Sequence, residues 1–506
     1  MKRRNLAMLG LLVIMAMALA ACGGGATATE APAAPAAEEA ATEEATEAAP
    51  AEEAAATEAP AEEAATEEAT EAAPAEEAAA EAPAMDASAL VAVPGGYLER
   101  AMAGEFDGTT VTVDGPFADA DVVRFDKSVA PFEEVTGIDV QYIGGKEFEA
   151  SISVRVDAGD APDIADFPQP GLLARFVADG KVIDAGSFLP ADYLAQQYNQ
   201  SWLDMATMEG ADGPIQAGVW HRYNGKSLVW YPKDDWEAAG YEIPQTWDEL
   251  MALNQLIVDD GDAPWCIGIE SGAATGWAAT DWTEEMMLRT TSLENYDKWV
   301  TGELAFASPE VKTAIEKWSE LWFNDDFVLG GRASIVGTNF GDAPAPMFED
   351  PPRCWMHKQG NFITAFFPEG AQPGVDYSFF YLPPVDEAYG KPFLVAGDIM
   401  AMFNDRDEVR ALMEYFTLPQ SAGGWLESGG ALAAHQTATP EMYGQDLERG
   451  IAELAANATS FRFDGSDLMP GAVGAGSFWT GMVDYAGGKP AAEVAAEIQA
   501  SWDAIK

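Results

Sequence analysis

From about residue 107 onward, short runs of β-branched and apolar residues alternate with segments whose apolar positions recur every three to four residues. These are the two periodicities of strand and helix. Thr109-Thr110-Val111-Thr112-Val113 predicts a first strand. The helical pattern that follows ends at Val135-Thr136-Gly137, with glycine where a helix closes into a left-handed residue. Ile138-Asp139-Val140-Gln141-Tyr142 alternates as a second strand, and Pro162-Asp163-Ile164-Ala165 predicts a third that feeds a helix near Pro170 to Asp179. A strand joined to the next through a helix implies parallel pairing, because parallel partners need a crossover.

Further along, Thr246-Trp247-Asp248-Glu249 has the Thr-x-x-Glu spacing of a capping box. Leu250, Leu253, Leu256 and Ile257 then predict one apolar face, with Gly261 beyond the end. Ser308-Pro309 supplies a cap and a preset first φ for a helix carrying Ile315, Trp318 and Leu321. These signals build cores and carry no chemistry. They predict an α/β class, and a segment of this length with 15 Trp is too large for one core, so two lobes are expected.

The N-terminal part is patterned differently. Lys2, Arg3 and Arg4 precede an uncharged apolar run over 6–21 that ends in Leu19-Ala20-Ala21-Cys22. The run is too short for a permanent span and has the layout of a secretory signal. Its end looks like a bacterial lipobox, with Cys22 as the acylated residue after cleavage; an ordinary signal with an incidental cysteine is the plainer alternative. Residues 23–85 are nearly all Ala, Glu, Thr and Pro, and 38–56 recurs letter for letter at 62–80. With 17 Glu and no Lys or Arg, this stretch cannot bury a core and is expected to act as an extended tether on the order of 45 Å long.

Composition sharpens the picture. The chain of 506 residues has 84 acidic against 27 basic residues. Cleavage before Cys22 leaves 24 basic ones and a net charge of about −60, which disfavours nucleic acid and anionic membrane surfaces as partners. Once Cys22 is lipidated, Cys266 and Cys354 remain as an even pair in an oxidising compartment, which predicts a disulfide; two buried free thiols are the alternative.

Ser227-Leu228-Val229-Trp230-Tyr231-Pro232-Lys233-Asp234, followed by Pro244-Gln245-Thr246-Trp247-Asp248-Glu249-Leu250, resembles the maltose-binding-protein-like carbohydrate receptors of ABC importers. The likeness in segment order extends over residues 107–506. Ala274-Thr275-Gly276-Trp277 with Thr280-Asp281-Trp282 resembles the alpha-glucoside-receptor branch, and Trp425-Leu426-Glu427-Ser428-Gly429-Gly430 the family's helix-to-hinge element. The resemblance implies a type II periplasmic-binding-protein-like fold, two α/β lobes joined by three crossovers near 220–223, 394–398 and 429–435. It divides the chain into a signal peptide (1–21), lipidated Cys and tether (22–106), lobe I (107–222 and 397–432) and lobe II (223–396 and 433–506). It also implies a lipid-anchored monomer on the outer face of the bacterial cytoplasmic membrane that hands a sugar or oligosaccharide to permease subunits.

Sugars present apolar C–H faces ringed by hydroxyls, so a receptor needs aromatic platforms beside carboxylates and amides. Trp277 and Trp282 flanking Asp281 have that chemistry, although both indoles could equally be core residues. Trp220, His221 and Asp398 sit at expected crossovers. Phe117 and Asp166 follow strands one and three, where α/β folds place ligands. Trp355 and Lys358, beside Cys354, complete the set of candidates.

Other chemistry lacks its signature. There is no His-Glu-x-x-His and no Gly-x-Ser-x-Gly, and Trp220 stands where a phosphate loop ending in Gly225-Lys226-Ser227 needs its first glycine. His221, His357 and His435 lack metal-ligand spacing. Asp119, Asp121 and Asp126 lack the EF-hand pattern and predict a solvated helix start. No cofactor and no catalytic residue are expected. A secreted glycoside hydrolase, which would use the same platforms with a carboxylate pair, and a surface lipoprotein without a transport role are the rival readings.

Overall fold

The computed structural model describes residue 90 and residues 93–506. The basic leader, Cys22 and nearly all of the tether segment lie outside the described residues. In chain order the strands are β1 (Thr110–Gly115), β2 (Asp139–Gly144), β3 (Ile164–Phe167), β4 (Thr207–Gly210), β5 (Gly213–Gln216), β6 (Val219–Gly225) and β7 (Leu228–Pro232). Then come β8 (Ala263–Trp265), β9 (Cys354–Lys358), β10 (Tyr377–Tyr381), β11 (Pro392–Met402), β12 (Leu432–Ala433) and β13 (Ser460–Phe463).

Lobe I is built on a sheet ordered β12-β6-β11-β3-β1-β2, with β13 added beside β11. β1 pairs in parallel with both β2 and β3, as the strand–helix repeat predicts. The helix Ala120–Thr136 closes at Gly137, whose φ of 67° is the left-handed conformation that glycine adopts without strain. Every residue of β11 is buried, as expected of a central strand covered on both faces.

Lobe II is built on the sheet β10-β7-β9-β8. One face is covered by the helices Trp247–Asp260, Trp277–Thr290 and Pro309–Trp322, where Trp282 meets Trp265 edge-on at 5.5 Å and Trp322 at 6.0 Å. The Thr246 hydroxyl caps Glu249 N at 3.2 Å; the Glu249 carboxylate accepts from Gln245 N at 2.7 Å rather than from the cap residue's own amide. Cys266 and Cys354 form a disulfide that ties the end of β8 to the start of β9.

Several expectations need correcting. Leu256 is 48% exposed: at 100° per residue it lies about 120° around the helix from Leu250, off the buried stripe. Asp121 does not sit in solvent but is buried, accepting from Trp425 Nε1 at 2.7 Å and from Arg124 at 3.1 Å. The fold also begins before residue 107. The helix Tyr97–Met102 buries Leu98 and Ala101, and its first amides donate to the Glu414 carboxylate at 2.8 and 2.9 Å. That cap comes from a residue more than three hundred positions away, so nothing local announces the helix. Of the connections between lobes, the first runs from β6 to β7 and the second from β10 to β11, so residues 220–223 and 394–398 lie within lobe I strands. The third falls later than 429–435: Phe463 still belongs to the lobe I core, whereas Met469 and Val473 pack in lobe II.

Candidate functional site

A cavity of about 170 Å³ lies between the lobes. Its lobe I wall is made by the loops after β1, β2 and β3, which contribute Phe117, Lys146 and Gln169, and by Glu149 in the first turn of the helix Phe148–Ala158. This is the carboxyl edge of a parallel sheet, where side chains converge without competing for ladder hydrogen bonds. The floor is β6 and β11, with Arg222, Asn224 and Asp398. At Gly397 an added Cβ would stand 2.9 Å from the Arg222 carbonyl, so glycine lets the two floor strands close up. Lobe II supplies Trp277, Phe340, Phe362, Asp467 and Trp479.

Aromatic rings dominate the walls. Trp277 opens the helix Trp277–Thr290 and meets Phe340 at 5.1 Å and Phe362 at 5.7 Å, so its ring is braced by neighbouring rings of the same wall. The Arg222 guanidinium lies 4.3 Å from the Phe117 ring centre and 4.6 Å from that of Trp425, with Nε 3.2 Å from Asp398. A planar cation held between two rings beside a carboxylate is fixed in orientation and presents its remaining N–H donors in a set direction.

Buried charge lies beneath this surface. The Lys226 ammonium donates to Asp281 Oδ1 at 2.8 Å and to Asp464 Oδ2 at 2.5 Å. Burial opposes its charge, but Asp281, Asp464, Asp467 and Glu284 outweigh that and hold its pKa well above the usual lysine value. Asp464 falls to about 2 against its own burial because Lys226 is so near, whereas for Asp281 burial wins and pushes the carboxyl up to about 7. Asp166, fully buried with neither carboxylate oxygen hydrogen-bonded, is pushed well above the carboxylate range by burial and by the nearby Asp398 charge. Among the described residues one carboxylate group is close enough to hold an ion, Asp281, Glu284 and Asp464. Lys226 already supplies the cation there.

The sequence-predicted residues separate cleanly. Phe117, Trp277 and Asp398 line the cavity. Asp281 stands behind it and acts on it only through Lys226; Asp166 lies under the floor. Trp282 is in the lobe II core. Trp355 is too, packed edge-on to Tyr241 and donating to Asp262 at 3.1 Å. Lys358 is buried 3.8 Å from Glu285, and burial lowers its pKa. Trp220 and His221 face away for a local reason. The pairing of β6 with β11 slips by one residue at His221, opposite Asp398/Ile399. Such a bulge reverses the alternation of side chains. Arg222 and Asn224 therefore face the cleft, and Trp220 turns to the back, donating to the Trp202 carbonyl at 2.7 Å. His221 is buried against the Ser421 carbonyl at 2.6 Å, with its pKa lowered by burial to about 3. The sequence reading missed Arg222, Asn224, Lys226 and Trp479, although alternation along β6 would have singled out the first two.

Two α/β lobes joined by three connections, closing over an aromatic-walled cavity with fixed donors and carboxylates, define a cleft-type binding protein. The chain belongs to the bacterial extracellular solute-binding protein family, whose profile matches residues 109–423. It is 43% identical over 399 residues to the osmoprotective compounds-binding protein GgtB of Synechocystis sp., covering 79% of this chain and 94% of that one. It is also 43% identical over 411 residues to the alpha-glucosides-binding periplasmic protein AglE of Rhizobium meliloti, covering 79% and 89%. Among solved structures, the bacterial solute receptor AcbH superposes with a TM-score of 0.67 at 18% identity, over 78% of this chain and 99% of that one. Maltose-bound MalE3 of T. maritima superposes with a TM-score of 0.61 at 14% identity, over 79% and 100%.

Proposed function

We propose that this protein is the extracytoplasmic receptor of an ABC-type importer and that its cleft captures a small alpha-glucoside or a related polyhydroxylated solute. The observation that carries the reading is the braced Trp277 ring facing a cavity whose floor holds Arg222 paired with Asp398. An indole face stacks on the C–H face of a pyranose, while the guanidinium and carboxylate satisfy its hydroxyls. The ligands for which GgtB and AglE are named, osmoprotective compounds and alpha-glucosides, fit the same chemistry. In this reading Trp277, Phe117, Asp398, Arg222 and Lys226 touch the ligand, and Asp281 positions Lys226. The cleft binds and does not hydrolyse. Cys22 carries the lipid anchor, the tether spaces the receptor from the membrane, and a monomer docks on the permease subunits.

A thermal-shift screen of the folded region against mono- and oligosaccharides tests it. Ligand at a hundred times its dissociation constant stabilises the native state by about 2.7 kcal/mol. A clear rise in Tm with an alpha-glucoside is expected, and no rise with any sugar or polyol overturns the reading.

A further inference from the structure

We propose that a pocket on the back of the hinge is a second binding site, for a small neutral polyhydroxylated solute. The pocket has a volume of about 550 Å³ and is lined by β6, by β13 and by the segment after β12. Side chains along a strand alternate between the two faces of its sheet. Arg222 and Asn224 face the cleft, so Tyr223 between them faces this pocket. The two sites thus share strand β6 but no lining residue.

The walls set the ligand's chemistry. Trp202 lies 5.6 Å from Tyr223 and 6.0 Å from Phe461, giving ring surfaces of the kind that accept C–H faces. Arg462 is the one permanently charged residue of the lining, and Asp297 holds its guanidinium through two hydrogen bonds at 2.6 and 3.0 Å. An ionic ligand therefore finds no free countercharge. His435 is neutral, since burial lowers its pKa to about 4. Its Nε2 meets the Phe416 carbonyl at 3.0 Å and so carries the proton, which leaves Nδ1 as an acceptor. That Nδ1 is buried and closed to the pocket. The hydroxyl and amide groups that a polyol would meet in the lining are those of Ser201, Asn199 and Gln436.

β6 leads into the first connection between lobes and β13 into the third. A solute held here therefore braces two of the three segments that must flex when the cleft opens or closes.

Titration calorimetry of the folded protein with maltose, glucose and glycerol tests the site. Ser201, exposed on the helix Gln200–Ala206 at the pocket's rim, is replaced in Ser201→Trp to fill the pocket, and Tyr223→Ala removes a wall without adding bulk. With at least one probe, the unmodified protein should show a binding phase that both variants lose and that Trp277→Ala keeps. Cleft affinity in Ser201→Trp should stay within about twofold, as for sites sharing no contacts. A phase seen with maltose points to the transported solute as occupant, and one seen with glycerol alone to an ambient polyol. If no probe gives a phase sensitive to Ser201→Trp, the proposal is wrong, whatever the cleft does. If that phase persists while no sugar binds the cleft, the proposed function fails and the second site stands.

Discussion

The Lys226 ammonium lies 2.8 Å from Asp281, joining the strand that leaves lobe I to a helix of lobe II. Asp464, at the third connection, holds the same ammonium from the other side at 2.5 Å. All three groups are buried. Replacing Lys226 by Met strands several carboxylates without a countercharge and should cost about 3–5 kcal/mol. Asp281→Asn leaves Lys226 its bond to Asp464 and should cost about 1–3 kcal/mol. Urea unfolding of both variants checks the order; equal losses would mean that the two acids are not alternative partners.

Trp277 and Trp282 lie one and a half turns apart on one helix and should respond in opposite ways. Trp277→Ala removes an aromatic anchor of the cleft and should weaken ligand binding by about thirtyfold or more, with the apo fold nearly unchanged. Trp282→Ala opens a hole among Trp265 and Trp322 and should cost about 3–5 kcal/mol of stability. Calorimetry paired with chemical denaturation separates the two. A large stability loss in Trp277→Ala would move that residue into the core.

Glu448 is fully buried, accepts from Gly430 N at 2.8 Å and from Asn361 at 2.9 Å, and is pushed by burial from its ordinary 4.5 up to about 7. A carboxyl raised in the folded state binds its proton more tightly there than in the unfolded chain. Its contribution is therefore complete below pH 4.5 and is lost as pH rises through 7. Glu448→Gln cannot ionise, so its stability relative to the unmodified protein should climb by up to about 3 kcal/mol across that window. Parallel denaturation curves at pH 4, 5, 6, 7 and 8 would show it; a constant difference would mean that Glu448 does not titrate there.

Cys22→Ser replaces the thiol that accepts the lipid with a hydroxyl. The variant should appear in the soluble fraction of the expressing cell, while the unmodified protein sediments with membranes. Equal partitioning would remove the anchor from the proposed function.

Much of the frame was legible in the residues alone. The strand and helix periods located β1, β2 and β3 and the helix ending at Gly137, because those periods and that left-handed glycine are local consequences of backbone sterics. Thr246 and Ser308 marked helix starts because a cap is satisfied within four residues. Two cysteines in an oxidising compartment left one pairing, and Cys266 and Cys354 form it. Phe117 and Asp398, which line the cleft, were singled out from strand ends and crossovers, and Trp277 from its aromatic chemistry and the family resemblance.

What the tertiary structure alone decided depends on contacts between residues distant in sequence. The slip at His221 turns Trp220 to the back of the sheet, and only the partner strand β11 reveals it. Asp281 has the chemistry of a ligand contact, but Lys226, 55 positions away, claims its carboxylate. Trp282 has the same residue type as Trp277 and a different fate, since five positions along a helix rotate a side chain by about 140°, from the cavity wall into the core. Residue type sets what a side chain can do; which neighbour reaches it first is set by the packing of the whole chain.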